Sequence, residues 1–564
     1  MVVALPFNRF KMLDLNRYFY EYMLRTKIQE AQAGLSDTEL LKRISLLANF
    51  AWRNHPGYYC DGRLENILVA YGKNLESYIN RQQIEKQIPD VHPNEDTHNS
   101  IVHVATRLFG VGGHTRALYQ FIKRHKANRH VVVLTGQSLK QVPQWFAEGI
   151  GDTPILTLDL FDSPFERAWV LRRSAAGARC VILYHHSDDV VPIMAFSDTG
   201  SPPVLLLNHA HSWFWLGASV SDLVLAPTEF HTQFTLATRP ITNVSHFPFT
   251  QLDDLDTGLG QNDKQEAKKR LGIDPDAVCI MTIGTPEKFI PNARYNFYRT
   301  AQQILQRFEQ VELYVIGIAD SPDLRKKYHL QSSRIRFCGF VDRPDDYYKA
   351  ADICLDALPQ PSLGATLYAA LIGLACPVFK YGHSNMFNGK NFIESPLYRQ
   401  QIGTLDTEKE YLDTITHLIA NPQLRLSIAE EIRAGYCRRS SNAGLCRTIQ
   451  GALEQADALQ HSPRTIPVGT HHRDADSAEI ADAGALQDLH SRLSYFDGYL
   501  SHAEKIAILA QLALKPGYTG DVMQLTKKLM KNKLSLFDCF RNSRRNYGSS
   551  DSVLSAPVSP HSGK

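Results

Sequence analysis

Histidines gather at the ends of apolar runs in this chain, where an imidazole can move a proton. LLLNHAHSWFWLG, from Leu205, brings Asn208, His209 and His211 to the end of such a run, just ahead of Trp213, Phe214 and Trp215. Aromatic faces beside histidines suit a sugar ring, although a core cluster with hydrogen-bonded histidines would read the same way. YHHSDD, from Tyr184 to Asp189, is a similar group, but its spacing matches no zinc pattern and no metal is expected. FGVGGHTRALYQF, from Phe109, places Gly112 and Gly113 in a turn that lets backbone approach a ligand, with His114 opening the helix that follows. Further along, TIGTPEKFIP, from Thr282, sets Gly284 at a strand end and Lys288 where a cation could meet a diphosphate. In ADICLDALPQPSLGATLYAALIGLACPVFKYG, from Ala351, a strand runs into a loop ending at Gly364, and a helix opens at Ala365 and Thr366. That junction offers amides and a hydroxyl to a phosphate.

These groups need a frame. Apolar runs begin at Ile101, His130, Thr153, Cys180, Pro203 and Asp222, and again at Cys279, Glu312, Ile335, Ile353 and Cys376. Near-continuous apolarity alternating with helical stretches predicts α/β architecture with two facing doubly wound Rossmann-like domains. Such sheets bind ligands outside the carboxyl ends of their strands. The expected division is a helical N-terminal domain over 1–95, a first Rossmann-like domain over 99–250 and a second Rossmann-like domain over 263–455. A linker over 456–485, a helical C-terminal region over 486–545 and a disordered tail over 546–564 complete it.

Composition narrows the partners. A formal net charge of +3 gives no sign of a nucleic-acid binder. Nine cysteines without a CxxC pair read as free thiols of a reducing compartment. No apolar stretch reaches the length of a membrane span, and the opening MVVALPFNRF is too short for a secretory signal, so a cytoplasmic location is expected. The stretch 521–545 has seven Lys and Arg against two acids. A docked C-terminal helix is the leading reading, and peripheral contact with the inner membrane face is the alternative.

The run RIRFCGFVDRPDDYYKAADICLDALP, the Gly364, Thr366 and Pro377 spacing, and EKFIP around Lys288 resemble nucleotide-sugar glycosyltransferases of the GT-B fold. They are similar to O-GlcNAc transferases and bacterial adhesin glucosyltransferases in particular. The resemblance implies a nucleotide-sugar donor, UDP-linked, as substrate with no separate cofactor, and a protein, glycan or lipid-linked acceptor. It implies that Gly339 and Phe340 lie beside the base, that Lys288 contacts the diphosphate and that Thr366 meets its distal phosphate. In an inverting reaction His114, His209 or His211 would serve as base. Two other readings stand beside it: a nucleotide-sugar 2-epimerase-like isomerase, and an inactive GT-B binding module. The second is kept open by the absence of a carboxylate over Tyr368 to Ala370.

Overall fold

The computed structural model describes residues 11–30, 34–87, 100–110, 113–247, 261–291, 296–341, 344–358, 362, 365–366, 368–369, 372–377, 405, 407–440, 442–469, 471–472, 477–478, 481, 489–515, 517–523 and 525. Two wholly parallel sheets dominate it. The first comprises β1 (Ile101–Ala105), β2 (His130–Leu134), β3 (Ile155–Thr157), β4 (Cys180–Leu183), β5 (Val204–Leu207), β6 (Leu223–Ala226) and β7 (Val244–His246), in the order β3-β2-β1-β4-β5-β6-β7. The second comprises β8 (Val278–Ile283), β9 (Val311–Ile316), β10 (Ile335–Phe337) and β11 (Ile353–Cys354), in the order β10-β9-β8-β11. Each order reverses once, between β1 and β4 and between β8 and β11. A crevice opens at such a reversal because the crossing helices leave to opposite faces. The short strand β7 has no apolar signature, since Val244, Ser245 and His246 are each only half-buried.

Alternation along the first sheet feeds two cores. Val102, Val104, Val181, Leu183, Val204 and Leu206 point to one face, where they join the helices Lys11–Met23, Asp37–Arg53 and Gly62–Lys73 in one buried cluster. Ile101, Ala105, Ile182, Leu205 and Leu207 point to the other face, toward the helices Gly113–Arg124 and Asn442–Asp457. The N-terminal helices therefore share a core with the first sheet. Gly72 permits this contact, since a Cβ there would lie 2.4 Å from the Met194 carbonyl oxygen. The second sheet has a separate core.

Three features of the later chain depend on tertiary contacts. One helical run was expected from Glu408 to about Tyr436. It is divided into Glu408–Ala420 and Pro422–Ser440, because Pro422 cannot continue the first helix. Residues 461–469, read from sequence as part of a linker, are fastened to the first unit. His461 Nδ1 meets Asp222 Oδ2 at 2.6 Å and its Nε2 donates to the Phe196 carbonyl at 2.8 Å. The helices Leu489–Tyr495 and His502–Ala513 then return to the N-terminal helices, where Phe496 packs on Phe50 with ring centroids 4.9 Å apart. The basic stretch beyond Leu525 lies outside the described residues, as does the 546–564 tail. Among the described residues no helix is long and apolar enough to cross a membrane, and the described cysteines are free thiols.

Candidate functional site

The first reversal point holds a histidine cluster. Asp189, just beyond β4, ties three strand ends together. Its Oδ2 accepts from the Thr106 hydroxyl at 2.7 Å and the Thr135 hydroxyl at 2.5 Å. Thr106 Oγ1 in turn accepts the His186 amide at 2.8 Å. On this base the His114 ring stacks against His209 at 5.0 Å and meets the His186 ring edge-on at 6.0 Å. Phe109 lies flat on His186 at 5.6 Å.

Backbone carbonyls fix the tautomers. A carbonyl only accepts, so an imidazole nitrogen facing one must carry the proton. His114 Nε2 faces the Arg107 carbonyl at 2.9 Å, and His209 Nε2 faces the His185 carbonyl at 2.9 Å. Nδ1 of each is left as the bare nitrogen. Burial, reinforced at His209 by the neighbouring His114, holds both rings below the ordinary histidine range, and His186 is pushed down to about 4 by burial and His114. These imidazoles are neutral near pH 7, the form a general base requires.

His211 stands slightly apart. Its backbone is left-handed, with φ 55°, an unusual state for a residue with a Cβ and a common mark of functional strain. Its Nδ1 is buried with no hydrogen-bond partner, and its ring lies 4.9 Å from that of His231. Burial and then the positive charge of Lys288 push its pKa down to about 4. That charge acts on the first unit from the second.

At the second reversal point three glycines end three adjacent strands: Gly284 after β8, Gly317 after β9 and Gly339 after β10. Gly317 has φ +100°, and a Cβ on it would lie 2.1 Å from the Gly284 carbonyl oxygen. Gly339 has φ +66° and accepts the Gly317 amide at 2.7 Å. A Cβ on Gly284 would meet Ser362 Oγ at 3.0 Å and Lys288 Cδ at 3.2 Å, so strand end, lysine and loop hydroxyl converge there. Ser362 Oγ and Thr282 Oγ1 are buried without a hydrogen-bond partner.

Beneath this floor sits Asp356, at the end of β11. Its Oδ1 accepts the amides of Ala357 at 2.8 Å and Ser362 at 2.6 Å, which shapes the loop toward Ala365 and Thr366. Its carboxylate also takes the Thr366 hydroxyl and is attracted by Lys288. Burial outweighs these contacts and pushes its pKa up to about 6.

The structure thus brings His114 and His209 together at one reversal point and Gly284, Lys288 and Thr366 at the other, with the Lys288 charge felt at His211. Gly113 opens the helix Gly113–Arg124, and Ala365 opens the helical turn that contains Thr366. Phe340 is 75% exposed beside Gly339. Gly112 and Gly364 lie outside the described residues. Of the aromatic trio, Phe214 and Trp215 belong to the core, while Trp213 is half-buried. Asp356 and Ser362 escaped sequence reasoning. The only available signal was an acid at a strand end before a proline-rich loop. His186 was visible in YHHSDD, but without the fold nothing joined it to His114. Among the described residues no cluster of His, Cys, Asp or Glu could hold a metal ion.

Two doubly wound parallel sheets in tandem, each with one reversal of strand order, give the chain the GT-B fold. No family model and no curated protein matches the sequence. Among solved structures, the chain is similar to HepE from Anabaena in complex with UDP and glucose. The TM-score is 0.47 at 15% identity, over 64% of this chain and 100% of that one. It is also similar to an O-GlcNAc transferase of Thermobaculum terrenum, with TM-score 0.45 at 14% identity over 80% of this chain and 98% of that one. A UDP-GlcNAc 2-epimerase from Neisseria meningitidis bound to UDP-GlcNAc gives TM-score 0.41 at 14% identity, over 63% and 98%. Such distant likeness says nothing of the reaction.

Proposed function

We propose that the chain is a glycosyltransferase that moves a sugar from a nucleotide-sugar donor, UDP-linked, to a protein or glycan acceptor. The observation that carries this reading is the convergence of Lys288 and the Ser362 hydroxyl on Gly284 at the second reversal point, with the stacked His114 and His209 rings at the first. The second unit supplies a cation and unpartnered hydroxyls over a floor without side chains, which suits a diphosphate. The first supplies neutral imidazoles, which suit an acceptor proton. The bond from the anomeric carbon to the diphosphate oxygen breaks, and Lys288 stabilises the charge that leaves. The bond from the acceptor to that carbon forms, and the bare Nδ1 of His114 or His209 takes the acceptor proton. In this reading the first Rossmann-like unit is the acceptor side, the second is the donor side, and the free thiols fit a cytoplasmic location.

The test is release of nucleoside diphosphate from a panel of nucleotide sugars. Lys288→Ala should lower kcat/KM for the productive donor by about 10²- to 10³-fold, the usual loss when one transition-state charge contact is removed. Recovery of the donor as its epimer would replace transfer with isomerisation. Failure to bind any nucleotide in calorimetry would leave only a binding role.

A further inference from the structure

The proposed base His209 is held by groups that lead out of its own unit and into the N-terminal helices. Glu65, on the helix Gly62–Lys73, is fully buried and forms no ion pair among the described residues. Its Oε1 accepts the amides of Gly217 at 3.2 Å and Ala218 at 3.1 Å. Its Oε2 accepts the Ser219 amide at 2.7 Å and the Ser219 hydroxyl at 2.5 Å. A carboxylate withdrawn from water is costly unless its lone pairs are filled; these four donors fill them, and the buried Arg239 guanidinium adds an attractive charge.

The turn that Glu65 holds reaches the histidines directly. Leu216, next to Gly217, accepts the His185 Nε2 proton on its carbonyl at 2.8 Å. The carbonyl of His185 then accepts the His209 Nε2 proton at 2.9 Å, and the His209 ring stacks on His114. Gly217 is at φ +123°, and a Cβ there would come within 3.2 Å of His185 Cε1. The register of this turn against the His185 ring therefore has little freedom.

We propose that Glu65 is a positioning residue for the reaction, holding His185 and through it His209 with Nε2 protonated and Nδ1 left bare. The N-terminal helices are then part of the catalytic apparatus as well as of the core. This rests on the transferase reading for its consequence in rate, but its geometric half can be read without any turnover.

The experiment compares the full chain with Glu65→Gln and Ser219→Ala by nitrogen-15 spectra of labelled histidines, assigned by single His185→Gln and His209→Gln variants. Wild type should show His185 and His209 as single Nε2–H tautomers that titrate below the ordinary histidine range. Glu65→Gln turns an acceptor into a donor facing amides, so His209 should become a tautomer mixture that titrates closer to the ordinary range. Ser219→Ala, which removes one of the four bonds, should shift in the same direction by less. In the turnover assay kcat should fall at least tenfold in Glu65→Gln, with donor KM changed less than twofold. A variant with a lower Tm but unchanged His209 tautomer, titration and kcat would reduce Glu65 to a clamp and overturn the proposal. If wild type turns over no donor, the transferase reading fails, while the spectra still decide whether Glu65 sets the histidines. Should Glu65→Gln fail to fold, Ser219→Ala decides alone, and unshifted His185 and His209 spectra in it would overturn the proposal.

Discussion

Asp356 shows how burial and function meet in one carboxyl group. Its amide and Lys288 contacts favour the charged form, yet burial leaves its pKa at about 6. The ordinary value is about 4, so between these two pH values the folded chain holds a proton that the unfolded chain has released. Stability from this group is therefore fully present below about pH 4 and is lost as pH rises through 6. The loss is roughly 3 kcal/mol for a shift of about two pH units. Asp356→Asn keeps an acceptor for both amides and has no proton to lose. The expected result is a Tm difference between pH 5 and pH 7.5 that is smaller in Asp356→Asn than in wild type. A scan with both proteins losing equal Tm over that range would refute it. The histidines make a companion prediction. Because His211 and His186 titrate near 4, and His114 and His209 below the ordinary range, a pH–rate profile of Asp356→Asn should show no imidazole limb near pH 6.5. A limb there would mean that a more exposed histidine is the base.

At the level of elements, the second site depends on strand ends that carry no side chains. Gly317 cannot be replaced quietly, since an alanine there keeps a φ of +100° and drives its Cβ into the Gly284 carbonyl. Strained backbone of this kind costs about 1–3 kcal/mol even without a clash. Gly317→Ala should therefore lower unfolding free energy in urea by about 3 kcal/mol or more, and should weaken nucleotide-sugar binding through displacement of Gly284. Full retention of both would show that the strand ends can part at little cost. The same local physics explains why the strands were legible. Runs of four to six mostly apolar residues mark strands covered on both faces. β7 lacks that mark, because it lies at the edge of the sheet.

Across the whole molecule, the N-terminal helices and the helices of 489–513 close on each other. Phe496 stacks on Phe19 with ring centroids 6.3 Å apart, and buried Arg492 donates to Asn16 Oδ1 from Nε at 2.8 Å and Nη2 at 2.6 Å. Because these residues belong to the core of the first sheet while the second sheet has its own, damage here should stay on one side. Phe496→Ala should cost about 3–5 kcal/mol, the range for a buried aromatic. Hydrogen exchange should then quicken in the helices of 11–73 and 489–513 and leave β8 and β9 unchanged. Faster exchange spread evenly over both units would show that the cores are coupled.

Much of this protein is written locally. Apolar runs marked the positions of β1 to β6 and β8 to β11, though not β7, and alternation with helices marked the class. Residue type at strand ends marked His114, His209, His211, Gly284, Lys288 and Thr366 as chemistry-bearing. Tertiary structure alone decided which of them meet. Strand order placed His186 beside His114 although 72 residues separate them, and tertiary packing put His211 within reach of the Lys288 charge. It gave Asp356 its raised pKa, since burial is a property of the fold. It also turned the 461–469 segment from a spacer into a strap on Asp222, and put Glu65 under a turn more than 150 residues away. Such contacts depend on how helices cross and sheets pack, and no window of neighbouring residues carries that information.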